Sequence, residues 1–295
     1  MTQSDFTFKT LDDMTEACGK YRDPVPFDGQ TYLGHHDILE ADSLKAMADM
    51  PEASVDLVLT DPPYGKTACK WDVVQSIPDM WECLLRVGKP ECAFVFFCVQ
   101  PFTTDLISSQ RDMFCHDWVW VKNSSSGMMR AGKEPMRRHE IILVFRRKQG
   151  TFNPQKVLGS LTSQNHAKKG YAYHNKASKL YSVDGGVPFC WSEMVNPHSV
   201  LPCDSVGNRD KGKVHPTQKP VALFEYLVKT YSNEGDLVLD PFAGSGTAAL
   251  ACANTGRRWV CIEKEREYVD IARRRLADGV QAELCTANVS MRVSE

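Results

Sequence analysis

The run Val55-Asp56-Leu57-Val58-Leu59-Thr60 passes directly into Asp61-Pro62-Pro63-Tyr64-Gly65, and no other stretch constrains the fold as tightly. A short apolar run bounded by turn residues reads as a buried strand. Its end carries a carboxylate, two prolines and an aromatic ring, a fixed and partly dry acceptor site at the carboxyl edge of a sheet. Open α/β sheets bind their ligands at that edge. Each proline holds φ near about −65° and lacks an N–H, so the turn offers carbonyls and no amide hydrogens. Acceptors beside one ring suit a flat group with an exocyclic amine. Taken alone, Asp-Pro-Pro is more often an ordinary turn; the second half of the chain shifts the balance.

There, Leu237-Val238-Leu239-Asp240 forms a second short apolar run, followed by Pro241-Phe242-Ala243-Gly244-Ser245-Gly246-Thr247. Gly244, Gly246 and Ala249 fit a G-x-G-x-x-G/A pattern, predicting a tight turn, a close backbone approach to a ligand and a helix packed on the sheet. A third strand, Trp259-Val260-Cys261-Ile262, ends in Glu263, placed to accept hydrogen bonds from ribose hydroxyls. Strand, glycine turn, helix, strand and acid in this order predict an adenosine-containing ligand. A dinucleotide shares the grammar, but Asp240 in the first turn would repel a pyrophosphate and could instead hold an ammonium group. No second element for a nicotinamide half is present.

The three segments DPPYG, HPTQKP (His215 to Pro220) and VLDPFAGSGT together resemble the amino-group DNA methyltransferases. Catalytic motif first, variable region next and cofactor motif last resembles their beta class, over roughly residues 32–278. Asp rather than Ser at position 61 resembles the adenine-N6 branch. The resemblance implies a Rossmann-like, seven-stranded methyltransferase sheet of circularly permuted motif order, with an inserted target-recognition region. It implies that Asp61, Pro62, Pro63 and Tyr64 hold a flipped base. It implies an S-adenosyl-L-methionine pocket lined by Asp42, Asp61, Thr217, Lys219, Asp240, Phe242, Ala243, Gly244, Ser245, Gly246 and Thr247, with Glu263 on the ribose. The resemblance implies that Asp42 approaches the cofactor's adenine, in a segment usually written G-D, with Ala41 here in place of the Gly. Double-stranded DNA is the implied partner and a homodimer the implied assembly, in a bacterial or phage setting. Cytosine-N4 transfer needs the same acceptors and stays open, as does a non-catalytic DNA-binding module on the same fold.

The net charge of −2 hides an asymmetry. Residues 122–180 hold thirteen Lys or Arg against Glu134 and Glu140, a local balance of +11; the remainder, with 22 basic and 35 acidic groups, carries −13. A phosphate-tracking face on an acidic body would show this division. Lys122, Arg130, Lys133, Arg137, Arg138, Lys168, Lys169 and His174 are the expected DNA contacts.

At 295 residues and 42% apolar, the chain has room for one large α/β domain with an insertion. The expected division is an extension over 1–31, a catalytic half over 32–149, target recognition over 150–213 around Trp191, a cofactor half over 214–278 and an extension over 279–295. Strands are predicted near 32–40, 55–60, 92–98, 116–122, 140–146, 236–240 and 258–263. Helices are predicted near 43–50, 76–88, 102–110, 217–231 (with Thr217 as N-cap), 246–255 and 265–277. The last helix is expected to bury Tyr268, Ile271, Ala272 and Leu276 and to leave Arg273, Arg274 and Arg275 exposed. Residues 124–138 read as a mobile loop ordered by DNA. Eleven scattered cysteines and eight histidines lack ligand spacing, so buried thiols in a reducing compartment, and no metal, are expected. No long apolar run and no signal-like start predict a soluble, cytoplasmic chain.

Overall fold

The computed structural model describes residues 37–65, 74–158, 172–173, 189–190, 193–207, 214 and 218–292. Among them eight strands form one sheet: β1 (Asp37–Glu40), β2 (Val55–Thr60), β3 (Gly88–Cys98), β4 (Phe114–Ser126), β5 (Arg137–Arg146), β10 (Val200–Pro202), β11 (Leu237–Asp240) and β12 (Arg258–Glu263). Their spatial order is β1-β12-β11-β2-β3-β5-β4-β10. Every neighbouring pair is parallel except the two made by β5, which runs antiparallel between β3 and β4. All seven predicted strands form within this sheet. The eighth, β10, pairs with β4 at the edge; three residues ending in proline carry too little periodicity to be read beforehand.

Alternation along the central strands sorts the core into two layers. Leu57, Leu59, Ala93, Val95 and Phe97 face one side. There they meet helices α4 (Val221–Tyr231), α5 (Thr247–Asn254) and α6 (Arg266–Arg292) through Phe224, Leu227, Ala248, Val269 and Ala272. Val58, Cys92, Phe94, Phe96 and Cys98 face the other side. Their partners are α1 (Ser43–Asp49), α2 (Ile77–Val87) and α3 (Phe102–Ser109), through Met47, Trp81, Leu84 and Leu106. The Trp81 ring meets Phe94, Phe96 and Phe145 edge-on at centroid distances of 5.6, 5.2 and 5.2 Å. The expectation of buried thiols holds for Cys92, Cys98, Cys252 and Cys261, whereas Cys83 and Cys203 are half-buried and Cys115 is exposed. No helix among the described residues is long and apolar enough to cross a membrane.

Several expectations need correction. Helix α4 begins at Val221, with Pro220 as N-cap in an extended conformation (ψ 132°), so Thr217 is not the cap. Proline disfavours helical backbone in the residue before it, which keeps Lys219 out of the helix. Residues 124–138 are not a free loop: Ser126 pairs with Arg137, and the turn between holds a 3₁₀ segment, Met128–Arg130. Helix α6 continues to Arg292, through much of the supposed C-terminal extension. Among its described side chains Val269 and Ala272 are fully buried; Tyr268, Ile271 and Leu276 are half-buried. Arg273 donates to the Ile38 carbonyl at 2.8 Å, and Arg275 to Ser245 Oγ at 2.9 Å, so only Arg274 of the three is exposed.

Residues 153–199 form a compact unit of their own, somewhat smaller than the predicted 150–213. It contains two small antiparallel pairs, β6 (Val157–Leu158) with β9 (Met194–Val195) and β7 (Ala172–Tyr173) with β8 (Phe189–Cys190). Phe152 belongs to the larger unit, where its ring lies 6.0 Å from that of Tyr231. Trp191 and residues 1–31 lie outside the described residues.

Candidate functional site

The two motif strands are sheet neighbours. β2 and β11 pair in parallel, Leu57 with Val238 and Val58 with Leu239, so both turns open at the same sheet edge. From β2 the chain proceeds to β3 on one side, and from β11 to β12 on the other. The strand order thus reverses between them, which is where a doubly wound sheet leaves a crevice. Side chains tie the two turns together. Thr60 Oγ1 donates to Asp240 Oδ1 at 2.6 Å, and Lys219 Nζ donates to Asp61 Oδ2.

Asp61 is half-buried, and its other oxygen, Oδ1, accepts from the Tyr64 hydroxyl. Pro62 is buried, while Pro63 and Tyr64 are half-buried. The Tyr64 ring leans on Phe102 with centroids 5.5 Å apart. Lys219 is 9% exposed and lies 5.3 Å from the Phe97 ring centroid. It also stands 3.5 Å from Glu140 Oε2, and Glu140 Oε1 accepts from Lys122 Nζ at 3.0 Å. Burial works to strip the Lys219 proton, but the carboxylates of Asp61 and Glu140 outweigh it and hold the ammonium above its ordinary range. Burial likewise opposes ionisation of Glu140, and Lys219 and Lys122 together pull its pKa below the usual value.

The glycine turn forms as predicted. Gly244 and Gly246 have φ of +52° and +73°, in the left-handed region. A Cβ on Gly246 would sit 2.8 Å from Ala272 Cβ, so the backbone there packs closely on α6. Ala243, Ser245 and Thr247 are buried. Ser245 is bonded by Arg275, and Thr247 Oγ1 donates to the Lys219 carbonyl at 3.4 Å, so both hydroxyls brace the loop. Phe242 and Gly244 are the half-buried members. Glu263 Oε2 accepts from Gly244 N and Oε1 from Glu265 N, both at 2.8 Å, and burial raises its pKa. Asp240 is 3% exposed, with Oδ1 also accepting from Phe242 N at 3.1 Å. Burial pushes its pKa up to about 7, helped by the charges of Asp61 and Glu263. Asp42 caps α1 by accepting from Lys45 N at 3.2 Å, which gives that position a structural role. Thr217 lies outside the described residues.

Of the expected DNA contacts, Arg130, Lys133, Arg137 and Arg138 are exposed on the β4–β5 hairpin. Lys122 differs from them: its side chain is 12% exposed and its ammonium is paired with Glu140 at 3.0 Å. Lys168, Lys169 and His174 lie outside the described residues. Arg146 and Arg147 also spend charge internally, Arg146 against the Tyr231 ring at 5.6 Å and Arg147 on the Lys89 carbonyl at 2.9 Å. Glu140 escaped sequence reasoning. The available signal was its place as one of two acids in a strongly basic stretch, immediately before the apolar run of β5.

Residues 55–274 match the model of the N6/N4 methyltransferase family, described as DNA methylase. The type II methyltransferase M.HpaI of Haemophilus parainfluenzae is 30% identical over 250 residues, covering 80% of this chain and 72% of its own. M.BglII of Bacillus subtilis is 30% identical over 258 residues, covering 80% and 67%. Among solved structures, the M1.HpyAVI–SAM complex matches with a TM-score of 0.53 and 26% identity, over 81% of this chain and 99% of that one. The PvuII DNA methyltransferase, cytosine-N4-specific, matches in fold with a TM-score of 0.56 at 17% identity, over 82% and 90%.

Proposed function

The chain belongs to the N6/N4 family of DNA methylases, and from that premise we propose that it methylates N6 of a flipped-out adenine in duplex DNA. At the level of the family it is an S-adenosylmethionine-dependent DNA amino-methyltransferase, with type II modification enzymes among its relatives. The pairing of β2 with β11 supports methyl transfer at this crevice, since it brings Asp61 and the glycine turn together, and the choice of adenine rests on Asp rather than Ser at position 61.

The residues suit the cofactor. Asp240 is a buried carboxylate with its pKa near 7, and an adjacent ammonium would stabilise its ionised form. Glu263 accepts backbone bonds from Gly244 and Glu265. A carboxylate offers about four acceptor positions, so capacity remains for ribose hydroxyls. Phe242 supplies an apolar face at the mouth of the turn. When bound, the cofactor supplies an electrophilic methyl group on a positively charged sulfur.

The adenine amine is a poor nucleophile because its lone pair is delocalised into the ring. Asp61 and the Pro62 carbonyl each accept one of its N–H bonds, fixing the amine and turning its lone pair toward the methyl group. The Tyr64 hydroxyl donates to Asp61 Oδ1, so the phenol yields that oxygen as the amine arrives. Its ring then offers a stacking face to the everted base. Rate comes from orientation and from preplaced negative charge opposite the charge developing on nitrogen.

Asp61→Ala is expected to retain cofactor binding by calorimetry while methyl transfer falls by several orders of magnitude. Near-normal turnover in that variant would sink the assignment. Mass analysis of nucleosides from treated DNA separates the two amines. N6-methyladenine supports the choice made from Asp61, and N4-methylcytosine would transfer the same acceptor roles to cytosine. The proposed compartment is the cytoplasm, where bacterial DNA lies, and the proposed assembly a homodimer, which light scattering of the purified protein would test.

A further inference from the structure

Asp61 stands at one end of a mostly half-buried line of alternating charges. Lys219 donates to its Oδ2; Glu140 Oε2 lies 3.5 Å beyond that ammonium; Lys122 holds Glu140 Oε1 at 3.0 Å. The four side chains are 18%, 9%, 16% and 12% exposed in the order Asp61, Lys219, Glu140, Lys122. Their charges sum to zero, the condition under which burying them is tolerable. One atom breaks the pattern. Glu140 Oε2 is buried, and the Lys219 ammonium meets it only at 3.5 Å, the outer limit of bonding. A buried acceptor held so loosely calls for a cause.

We propose that Glu140 is a positioning residue, the alternative seat of the Lys219 ammonium when the target amine occupies Asp61. The inference rests on the methyltransferase reading above. An ammonium bonded to Asp61 draws off the negative charge that the amine needs from that carboxylate. A displacement of less than about 1 Å would bring Lys219 to an ordinary bonding distance from Glu140 Oε2. The Phe97 ring beside the ammonium attracts it in either seat, because a cation–π contact does not depend on which carboxylate is engaged. Lys122 fixes Oε1 and so keeps Oε2 turned toward Lys219. No proton changes owner; Lys219 stays charged and exchanges one hydrogen-bond partner for another. Asp61 thereby keeps its negative charge for the amine that takes Oδ1 from Tyr64, without leaving a buried cation unpaired.

The test compares the full-length protein with Glu140→Gln and with the double variant Glu140→Gln/Lys122→Met. Single-turnover transfer from tritiated S-adenosylmethionine to unmethylated bacterial genomic DNA is followed, together with cofactor Kd and melting temperature. Glu140→Gln is expected to slow transfer roughly 10- to 100-fold, the equivalent of one charged hydrogen bond, with cofactor Kd nearly unchanged. It also strands Lys122, which lowers the melting temperature. The double variant removes that stranded charge, so its melting temperature is expected to recover while transfer stays slow. Recovery of the transfer rate along with stability would reduce Glu140 to a structural counterion for Lys122 and overturn the inference. An unimpaired Glu140→Gln would do the same. Either result, with an active wild type, leaves the methyltransferase reading standing; a wild type that methylates no DNA overturns both.

Discussion

At the scale of single residues, Asp240 is a carboxyl whose surroundings strongly disfavour its charge. It is buried, and burial first, then the charges of Asp61 and Glu263, push its pKa up to about 7 despite bonds from Thr60 and Phe242 N. A carboxyl raised in the folded state binds its proton more tightly there than when unfolded. The stability it contributes is therefore full below the ordinary carboxyl range and lost as pH rises through about 7. A cationic group placed beside it reverses the preference and expels the proton. Cofactor binding near pH 6 should therefore release about one proton, and binding should tighten as pH rises toward about 7.5. Calorimetry in buffers of different ionisation enthalpy measures the release, and Asp240→Asn should abolish it. An unchanged release in that variant would place the cofactor's ammonium elsewhere. Asp240 and Asp61 were legible in the sequence because each closes an apolar strand beside prolines, a signal confined to a few adjacent residues. Their partners were not. Lys219 reaches Asp61 across 158 positions, and Glu140 joins them only because β5 returns antiparallel beside β3.

At the scale of elements, the glycine turn shows what local pattern can and cannot reveal. That Gly244 and Gly246 would adopt left-handed backbone followed from the turn itself. The identity of what presses on Gly246 depended on α6, whose packing no local pattern records. Gly246→Ala is expected to destabilise the protein by about 2–4 kcal/mol, combining a left-handed alanine with overpacking against Ala272. Denaturant titration of the ligand-free protein gives the value. Adding Ala272→Gly should restore only the packing part, since φ of +73° stays forbidding to alanine. A single variant as stable as the wild type would show that loop and helix part at little cost. The same distinction explains the strands and helices. Apolar runs such as 55–60 and 237–240 announced themselves, whereas the α4 start shifted to Val221 because Pro220 governs its predecessor. The hairpin ends at 124–126 and 137–138 were missed because their serines and arginines carry no apolar alternation. They are held instead by ladder pairing and by Asn123 Oδ1, which accepts from Ser205 N at 3.1 Å.

At the scale of the whole molecule, the question is how a chain of net charge −2 would hold a polyanion. The concentration of positive charge over 122–180 was visible in the sequence, but its availability was not, because a basic residue reads the same whether it faces water or a buried carboxylate. Lys122 and Arg146 turn inward to Glu140 and the Tyr231 ring, and the exposed Arg147 is bonded to the Lys89 carbonyl. Arg130, Lys133, Arg137 and Arg138 are exposed on the hairpin beside Met128 and Met129, which are 80% and 100% exposed. Arg130 has its charge partly met by Glu134 at 3.3 Å, whereas Arg138 gives one N–H to a neutral acceptor, the Lys122 carbonyl at 3.1 Å, so Lys133, Arg137 and Arg138 are the better probes of phosphate binding. Removing one cation that neutralises a phosphate should lower the slope of log K against log salt by about 0.9. The triple alanine variant should therefore bind duplex DNA with a slope lower by up to about 2.7, weakened to a similar degree on every sequence. Fluorescence anisotropy of a labelled duplex across a potassium chloride series measures both quantities. Lys122→Met supplies the contrast, since a cation buried against Glu140 touches no phosphate: melting temperature should fall while the slope holds. If the triple variant keeps the full slope, the hairpin does not track the backbone. The positive charge that binds DNA must then be sought in the remaining basic residues of 153–180.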